Sequence, residues 1–264
     1  MLLATTALFA YIDSDMDGVE DQYDKCPQTS LSDLVNDSGC TVQKMDEKLH
    51  YDLSITQEYA TTNTLTQVQS DIFTTYLRSN FYIDDWRVEL AGSYFTSKEK
   101  DTNTIIKGWN DTYLNLFYNF VLTQKLSIEL GTGVVLPTYK SGSQNGAVDL
   151  SAHMNFSYNL NPKTYIFGGD TYTWIGDKDL IDLQYQNSNY AQLGIGTKLT
   201  SSTNVNLWYD YSESIYKDVE AIKSIGIGVR SYLNSQWFLG ASYTKGFSTS
   251  QDQYSVSAEL GYSY

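Results

Sequence analysis

From residue 48 to residue 264, apolar and polar side chains alternate with a period of two, the spacing at which successive residues of a strand point to opposite faces. The first stretch sets Leu49, Tyr51, Leu53 and Ile55 against His50, Asp52, Ser54 and Thr56. Others set Leu114, Leu116, Tyr118 and Phe120 against Asp111, Tyr113, Asn115 and Asn119, and Leu150, Ala152, Met154, Phe156 and Tyr158 against Asp149, Ser151, His153, Asn155 and Ser157. The last sets Tyr254, Val256, Ala258, Leu260, Tyr262 and Tyr264 against Ser255, Ser257, Glu259 and Ser263. Twelve segments carry the pattern, near 48–59, 68–82, 85–97, 109–122, 125–138, 146–160, 163–175, 189–200, 203–212, 222–233, 236–247 and 252–264. Most have the length of a tilted strand that crosses a bilayer.

The links between segments are of two kinds, and they alternate. Short ones fall at 83–84, 123–124, 161–162, 201–202 and 234–235, and longer polar ones at 60–67, 98–108, 139–145, 176–188, 213–221 and 248–251. Tight turns at one end and longer loops at the other are the layout of bacterial outer-membrane barrels, whose turns face the periplasm. The pattern therefore predicts an all-β fold, a 12-stranded antiparallel up-and-down transmembrane β-barrel over 48–264. With an even number of strands both barrel ends lie on the turn side, which assigns the preceding segment to the periplasm.

A soluble barrel or sandwich also alternates, but it turns apolar residues inward and fills its centre with them. Here the polar face collects Arg78, Arg87, Glu89, Asp111, Glu129, Asp170, Lys198, Arg230 and Glu259 among many Ser, Asn and Gly. That is the composition of a lumen. An apolar belt around a polar lumen satisfies every backbone group of a closed ladder inside lipid. The lumen charges have two readings: they line a passage and tune ion selectivity, or they pair across strands and close the interior. Twelve strands lie between the filled eight-stranded barrels and the water-filled 16-stranded porins. Glycines at 131, 133, 194, 196, 226 and 228 either leave local room or relieve curvature and accommodate a facing Tyr or Trp.

With 264 residues the chain holds one barrel and a short appendage. Its formal charge of −14 is uneven: residues 13–47 carry a net −8 and the 217 that follow carry −6. No basic patch offers to neutralise phosphates, so nucleic acid is excluded as a partner. No 18-residue apolar run exists, which excludes transmembrane helices. The 23 tyrosines suit strands and the aromatic girdles of membrane barrels. Pro137 and Pro162 fall at strand ends, where a missing N–H breaks no ladder bond.

Residues 1–12, MLLATTALFAYI, read as the apolar region of a signal peptide with Ala10 as a cleavage position, although the usual basic start is missing. The two cysteines, Cys26 and Cys40, bracket one acidic segment. In an oxidising compartment they should pair, closing a loop of about 15 residues worth roughly 3 kcal/mol on the chain-entropy model. Zinc is disfavoured, because this segment has no His and only two thiols.

Within that segment Asp13, Asp15, Asp17, Gly18, Asp21 and Asp24 stand at offsets 1, 3, 5, 6, 9 and 12, the spacing of a loop that wraps oxygen ligands around Ca2+. Such carboxylates repel one another without a cation, and Gly18 supplies the sharp turn. Affinity is expected near the ~10⁻⁴ to 10⁻³ M of extracellular modules. The string DSDMDGVEDQYDKCPQTSLSDLVNDSGC, residues 13–40, resembles the thrombospondin type 3-like repeat of OmpA- and OprF-type outer-membrane proteins. The resemblance implies Asp13, Asp15, Asp17, Asp21 and Asp24 as calcium ligands with the carbonyl of Val19, and a Cys26–Cys40 disulfide. Here the repeat precedes the barrel rather than leading to a peptidoglycan-binding domain, so peptidoglycan anchoring is not carried over. The ending Leu260-Gly-Tyr262-Ser-Tyr264 is similar to the C-terminal aromatic signal read by the barrel-assembly machinery.

The organisation expected is thus a signal-like segment at 1–12, a calcium-binding segment at 13–47 and a barrel at 48–264. Catalysis is not expected, because neither His50 nor His153 has a serine partner at a suggestive spacing. The function expected is a narrow passive channel for small solutes or ions. A non-conducting structural or surface-adhesion role is the alternative, resting on the moderate-length loops.

Overall fold

The alternating segments close on themselves. In the computed structural model, which describes residues 13–15, 18, 19, 21, 23–29, 34–43, 50–63, 69–139, 146–179, 184–248 and 252–264, the chain separates into two units, Met1–Lys48 and Leu49–Tyr264. The first contains a two-stranded ladder of β1 (Leu34–Val35) and β2 (Thr41–Gln43). The second is made of β3 (His50–Asn63), β4 (Gln69–Ile83), β5 (Trp86–Glu99), β6 (Ile105–Trp109), β7 (Thr112–Val121), β8 (Leu126–Leu136), β9 (Asp149–Asn159), β10 (Thr164–Trp174), β11 (Ser188–Lys198), β12 (Thr203–Ser212), β13 (Ile222–Tyr232), β14 (Trp237–Gly246) and β15 (Asp252–Ser263). Neighbours in sequence pair antiparallel, and β15 returns to β3 with Ile55 opposite Leu260. β6 and β7 both pair with β5 and occupy one position in the wall, so the barrel has twelve strands.

The faces divide as the alternation requires. Leu116, Met154, Ile227 and Leu260 remain 41%, 50%, 50% and 42% exposed on the outside, whereas the Glu89 and Glu259 side chains keep only 17% and 16% of their surface on the inside. A continuous apolar exterior of this kind is what a bilayer solvates and water does not. Among the described residues every barrel strand except the short β6, which pairs only with β5, has neighbours on both edges, so the closed ladder satisfies the backbone polar groups that hydrocarbon cannot.

The tight turns repeat one device. Four links begin with Leu followed by Thr or Asn: 122–125, 160–163, 199–202 and 233–236. Asn161 Oδ1 accepts from the backbone N–H groups of Lys163 and Thr164, and Asn234 Oδ1 accepts from those of Gln236 and Trp237. Thr123 and Thr200 do the same with their hydroxyls. Each side chain stands in for a backbone acceptor and fixes the reversal, while the leading leucine stays exposed at the belt's edge.

The strands around the first hairpins run further than the alternation indicated. β3 extends to Asn63, and the expected 98–108 loop shrinks because Ile105–Trp109 pairs with β5. Between Trp109, opposite Tyr94, and Tyr113, opposite Ala91, the chain has one residue more than its partner. This bulge at Asn110 and Asp111 brings both side chains to line the lumen.

Inside, large rings lie directly opposite glycines of the next strand: Phe117 opposite Gly131, Tyr165 opposite Gly196, Phe167 opposite Gly194, Trp208 opposite Gly226 and Phe238 opposite Gly261. A Cβ built on Gly226 would stand 2.3 Å from Cε2 of Trp208, so the ring occupies the space a side chain would take. Glycine there makes room for a facing ring, the use that sequence reading held open. Gly226→Val should displace Trp208 and cost about 1–3 kcal/mol through overpacking. It should lower the temperature at which the folded band is lost on unboiled gels, and Trp208→Ala in the same chain should restore most of the loss.

Candidate functional site

The lumen holds a cavity of about 1110 Å³. Its wall is polar and aromatic: Glu58 and Ser54 from β3, Tyr76 and Arg78 from β4, Ser93 and Phe95 from β5, and Asn110 and Asp111 from the bulge. Tyr190 and Gln192 come from β11, Asn206, Trp208 and Asp210 from β12, Arg230 from β13 and Glu259 from β15. A second cavity of about 270 Å³ lies at the turn end, lined by Tyr82, Asp84, Asp85, Arg87 and Glu129.

One flank of the lumen is filled by ion pairing. Arg87 grips Glu129 with two hydrogen bonds, Nη2 to Oε1 at 2.6 Å and Nε to Oε2 at 3.0 Å. Its Nη1 donates to Asn80 and to Glu89. Asn115 and Asn155 donate their amides to Glu89 and Glu129, so most remaining carboxylate lone pairs are used. The guanidinium carbon sits 3.9 Å from the centre of the Phe117 ring. Arg78 approaches Glu89 at 3.7 Å. On the other flank Arg230 donates to Glu259 at 2.8 Å and lies 4.7 Å over the Phe238 ring.

Asp210 is held differently. One oxygen accepts from the Tyr190 hydroxyl at 2.7 Å and the Gln192 amide at 2.8 Å, and the other from the Trp208 indole at 2.9 Å and the Ser224 hydroxyl at 3.2 Å. All four donors are neutral. Nothing in the alternation signals that Tyr190, Gln192 and Trp208 gather on Asp210. The only trace is that Trp208 and Asp210 are two apart and Tyr190 and Gln192 likewise.

Eight of the nine charges expected in the lumen face it. Lys198 ends β11 opposite Asn204, a residue that lines the cavity, and Asp111 is brought in by the bulge. Asp170 is the exception. It pairs with Met154 on β9 and Ala191 on β11, so it shares the outer face with the exposed Met154, where Asn189 donates to both its oxygens at 3.1 Å. The reason is local: β10 turns Tyr165 and Phe167 inward over glycines and leaves Gly168 outside, reversing the expected contrast of faces.

The histidines also differ from expectation. Ser151 and His153 are in contact, Oγ to Nε2 2.8 Å, and the other ring nitrogen meets the Thr171 hydroxyl at 3.0 Å. Ser151 is buried in the wall and no carboxylate orients the ring, which is the geometry of a satisfied polar core. At the turn end Ser263 donates to Asp52, and the same Nε2 of His50 faces both groups at 3.4 Å, so no relay through the ring is built.

At the loop end Tyr185 and Tyr216 pair as an isolated bridge with ring centres 5.5 Å apart, and Tyr139 packs on the inward Phe95. Burial pushes the Tyr216 hydroxyl up, and Tyr139 and Asp177 add to the shift.

In the N-terminal unit Cys26 and Cys40 form a disulfide with Cα atoms 5.0 Å apart. Gly18 adopts φ +94°, the turn expected of it, and its N–H donates to Asp13 Oδ2 at 2.9 Å. Asp21 accepts from the Ser14 N–H and hydroxyl, Asp24 from the Cys26 N–H, and Asp15 from the N–H groups of Gln28 and Thr29. Asp13 Oδ1 is buried and takes no hydrogen bond from protein, the condition of an oxygen that a cation would satisfy. Val19 follows Gly18, and Asp17 lies outside the described residues. Among the described residues no three acidic or His/Cys groups assemble as a metal site. The donor chemistry, all oxygen, suits a hard cation such as Ca2+.

These features define a closed 12-stranded antiparallel barrel of the outer-membrane type. No protein-family model matches the chain. No curated protein matches it either. Among solved structures it is similar to an outer membrane channel from Pseudomonas putida F1, with a TM-score of 0.70 and 10% identity over 84% of this chain and 100% of that one. It is also similar to the NanC porin (TM-score 0.58, 12% identity, 80% of this chain and 98% of that one). The KdgM porin follows with a TM-score of 0.50, 10% identity, and coverage of 81% and 99%. At such identities the likeness is one of fold.

Arg87→Met should leave Glu129 without a cation and Glu89 with only the more distant Arg78, and destabilise the barrel by about 3 kcal/mol, the low end for a broken buried pair. The triple change with Glu89→Gln and Glu129→Gln should recover much of that loss. Thermal unfolding in detergent measures both.

Proposed function

We propose that the chain is a passive outer-membrane channel for small polar solutes or ions, carrying a calcium-binding segment on its periplasmic side. The single observation that carries this reading is the cavity of about 1110 Å³ within a polar, charge-lined lumen, behind an exterior that only lipid solvates. The names of the similar structures, an outer membrane channel and two porins, agree with it. β3 starts at the turn end of the barrel, which supports a periplasmic address for the segment before it. The strand ending at Tyr264 would be read by the barrel-assembly machinery, and residues 1–12 would be the remains of the export signal.

A non-conducting structural role is the second reading, favoured by the Arg87, Glu89 and Glu129 network that occupies one flank of the lumen. Planar bilayers separate the two. Discrete conductance steps are expected from the refolded chain, and their absence from barrels that show full heat-modifiability would end the channel reading.

For calcium, Asp13, Asp15, Asp17, Asp21 and Asp24 with the Val19 carbonyl would hold the ion, which would neutralise the loop's charge and stiffen it. Titration calorimetry of the whole chain in detergent should show one site of about 10⁻⁴ to 10⁻³ M. Asp13→Asn with Asp21→Asn should abolish it, while conductance in the presence of a chelator should persist.

A further inference from the structure

The inner wall builds the same small arrangement three times. In each, a ring lies over a glycine of the neighbouring strand, and a carboxylate stands beside it. On the Phe117 ring, over Gly131, lies Arg87 with Glu129 and Glu89. On the Phe238 ring, over Gly261, lies Arg230 with Glu259. The third ring is Trp208. Its Cε2 and Cζ2 cover Gly226 at 2.3 and 2.4 Å from a built Cβ, and its Cζ3 and Cη2 cover Gly228 at 3.1 and 3.2 Å. The indole therefore lies along two glycines of β13, with one face on the wall and the other toward the cavity it lines. Asp210 stands beside it, bonded to the indole N–H. Among the described residues no arginine or lysine stacks on Trp208, and none pairs with Asp210.

We propose that Trp208 and Asp210 form the selectivity subsite of the lumen and that its ligand is a small organic cation carrying a guanidinium or ammonium group. The inference rests on the channel reading and names its permeant class. Two of the three arrangements hold a guanidinium of the chain itself, which shows what this geometry accommodates. A flat ring attracts a cation through its face, and the indole is the strongest such ring. Asp210 supplies the charge. Its oxygens are engaged by four neutral donors, so it acts as a fixed negative field rather than as a flexible arm. The rest of the cavity agrees: Glu58, Asp111, Asp210 and Glu259 line it against Arg78 and Arg230. Both arginines already have carboxylate partners, whereas Glu58 is met by the Tyr76 hydroxyl and Asp111 by the Tyr139 N–H. Among the residues that line the cavity, the charge without an ionic partner is negative.

The test uses the whole chain in two settings, with arginine amide as the cationic probe and citrulline amide as its neutral match. In detergent, calorimetry should detect arginine amide and not citrulline amide. Trp208→Leu should weaken binding about three- to tenfold, the range of a lost cation–π contact. Asp210→Asn should weaken it to a similar degree, and Asp210→Glu should recover part. In planar bilayers under a potassium chloride gradient the reversal potential should show preference for potassium, reduced by Asp210→Asn, and arginine amide should block the current. Circular dichroism and gel mobility confirm that each variant is folded, and Glu58→Gln, away from the indole, gives an independent check on the charge balance. Equal affinity for the two amides, no binding of either, or wild-type anion preference would overturn the subsite, whatever the conductance. Binding of arginine amide without any conductance would end the channel reading and keep the subsite.

Discussion

The pairing of β15 with β3 is the constraint on which the rest of the molecule depends. Until Leu260 sits opposite Ile55, the first and last strands present rows of unpaired N–H and C=O groups, which hydrocarbon penalises by several kcal/mol each. Once they are joined, the closed ladder supplies its own backbone partners, and the two faces can specialise fully. The outside carries Leu, Ile, Val and Met. The inside is free to hold charge.

Closure with twelve strands also sets the problem that the inner side chains solve. The circumference is too large for side chains to meet across the centre as they do in an eight-stranded barrel, and too small to waste. Laying Phe117, Trp208 and Phe238 flat over glycines thins the lining where the rings are, and it preserves open space. On the Phe117 flank the room above the ring is taken by Arg87, paired bidentately to Glu129, while two amides donate to Glu89 and Glu129. Charges buried that way are stable only as a complete set, because each carboxylate left without its cation would face the desolvation cost alone.

How much of this was legible follows from the residues. β9, β13 and β15 announce themselves, since Leu150, Met154, Ile225, Ile227, Val256 and Leu260 alternate with small or polar residues and lie outside as expected. β10 does not. Its inward positions are Tyr165 and Phe167 and its outward ones include Gly168 and Asp170, so hydrophobicity points to the wrong face, and a ring's partner glycine on β11 is invisible to a single strand. The bulge at Asn110 is hidden for a similar reason, as it is defined by β5 rather than by its own sequence. The Ser151–His153 contact joins residues two apart on one face, a spacing that reads as ordinary strand alternation. The glycine repeats were noticed, but their purpose depends on which aromatic stands opposite, and that is a matter of register.

The way Asp210 is held bears on what a selectivity element needs. A passage requires attraction strong enough to admit a solute and weak enough to release it. A carboxylate with free lone pairs would bind a guanidinium bidentately, as Glu129 binds Arg87, and such a grip serves structure better than transport. Asp210 has its directional capacity spent on Tyr190, Gln192, Trp208 and Ser224, which leaves its charge but removes its geometry. A cation resting on the adjacent indole feels the field without forming the clamp. The same residue types thus produce a staple on one flank of the lumen and a transient foothold on the other, and the difference lies in who donates to the carboxylate.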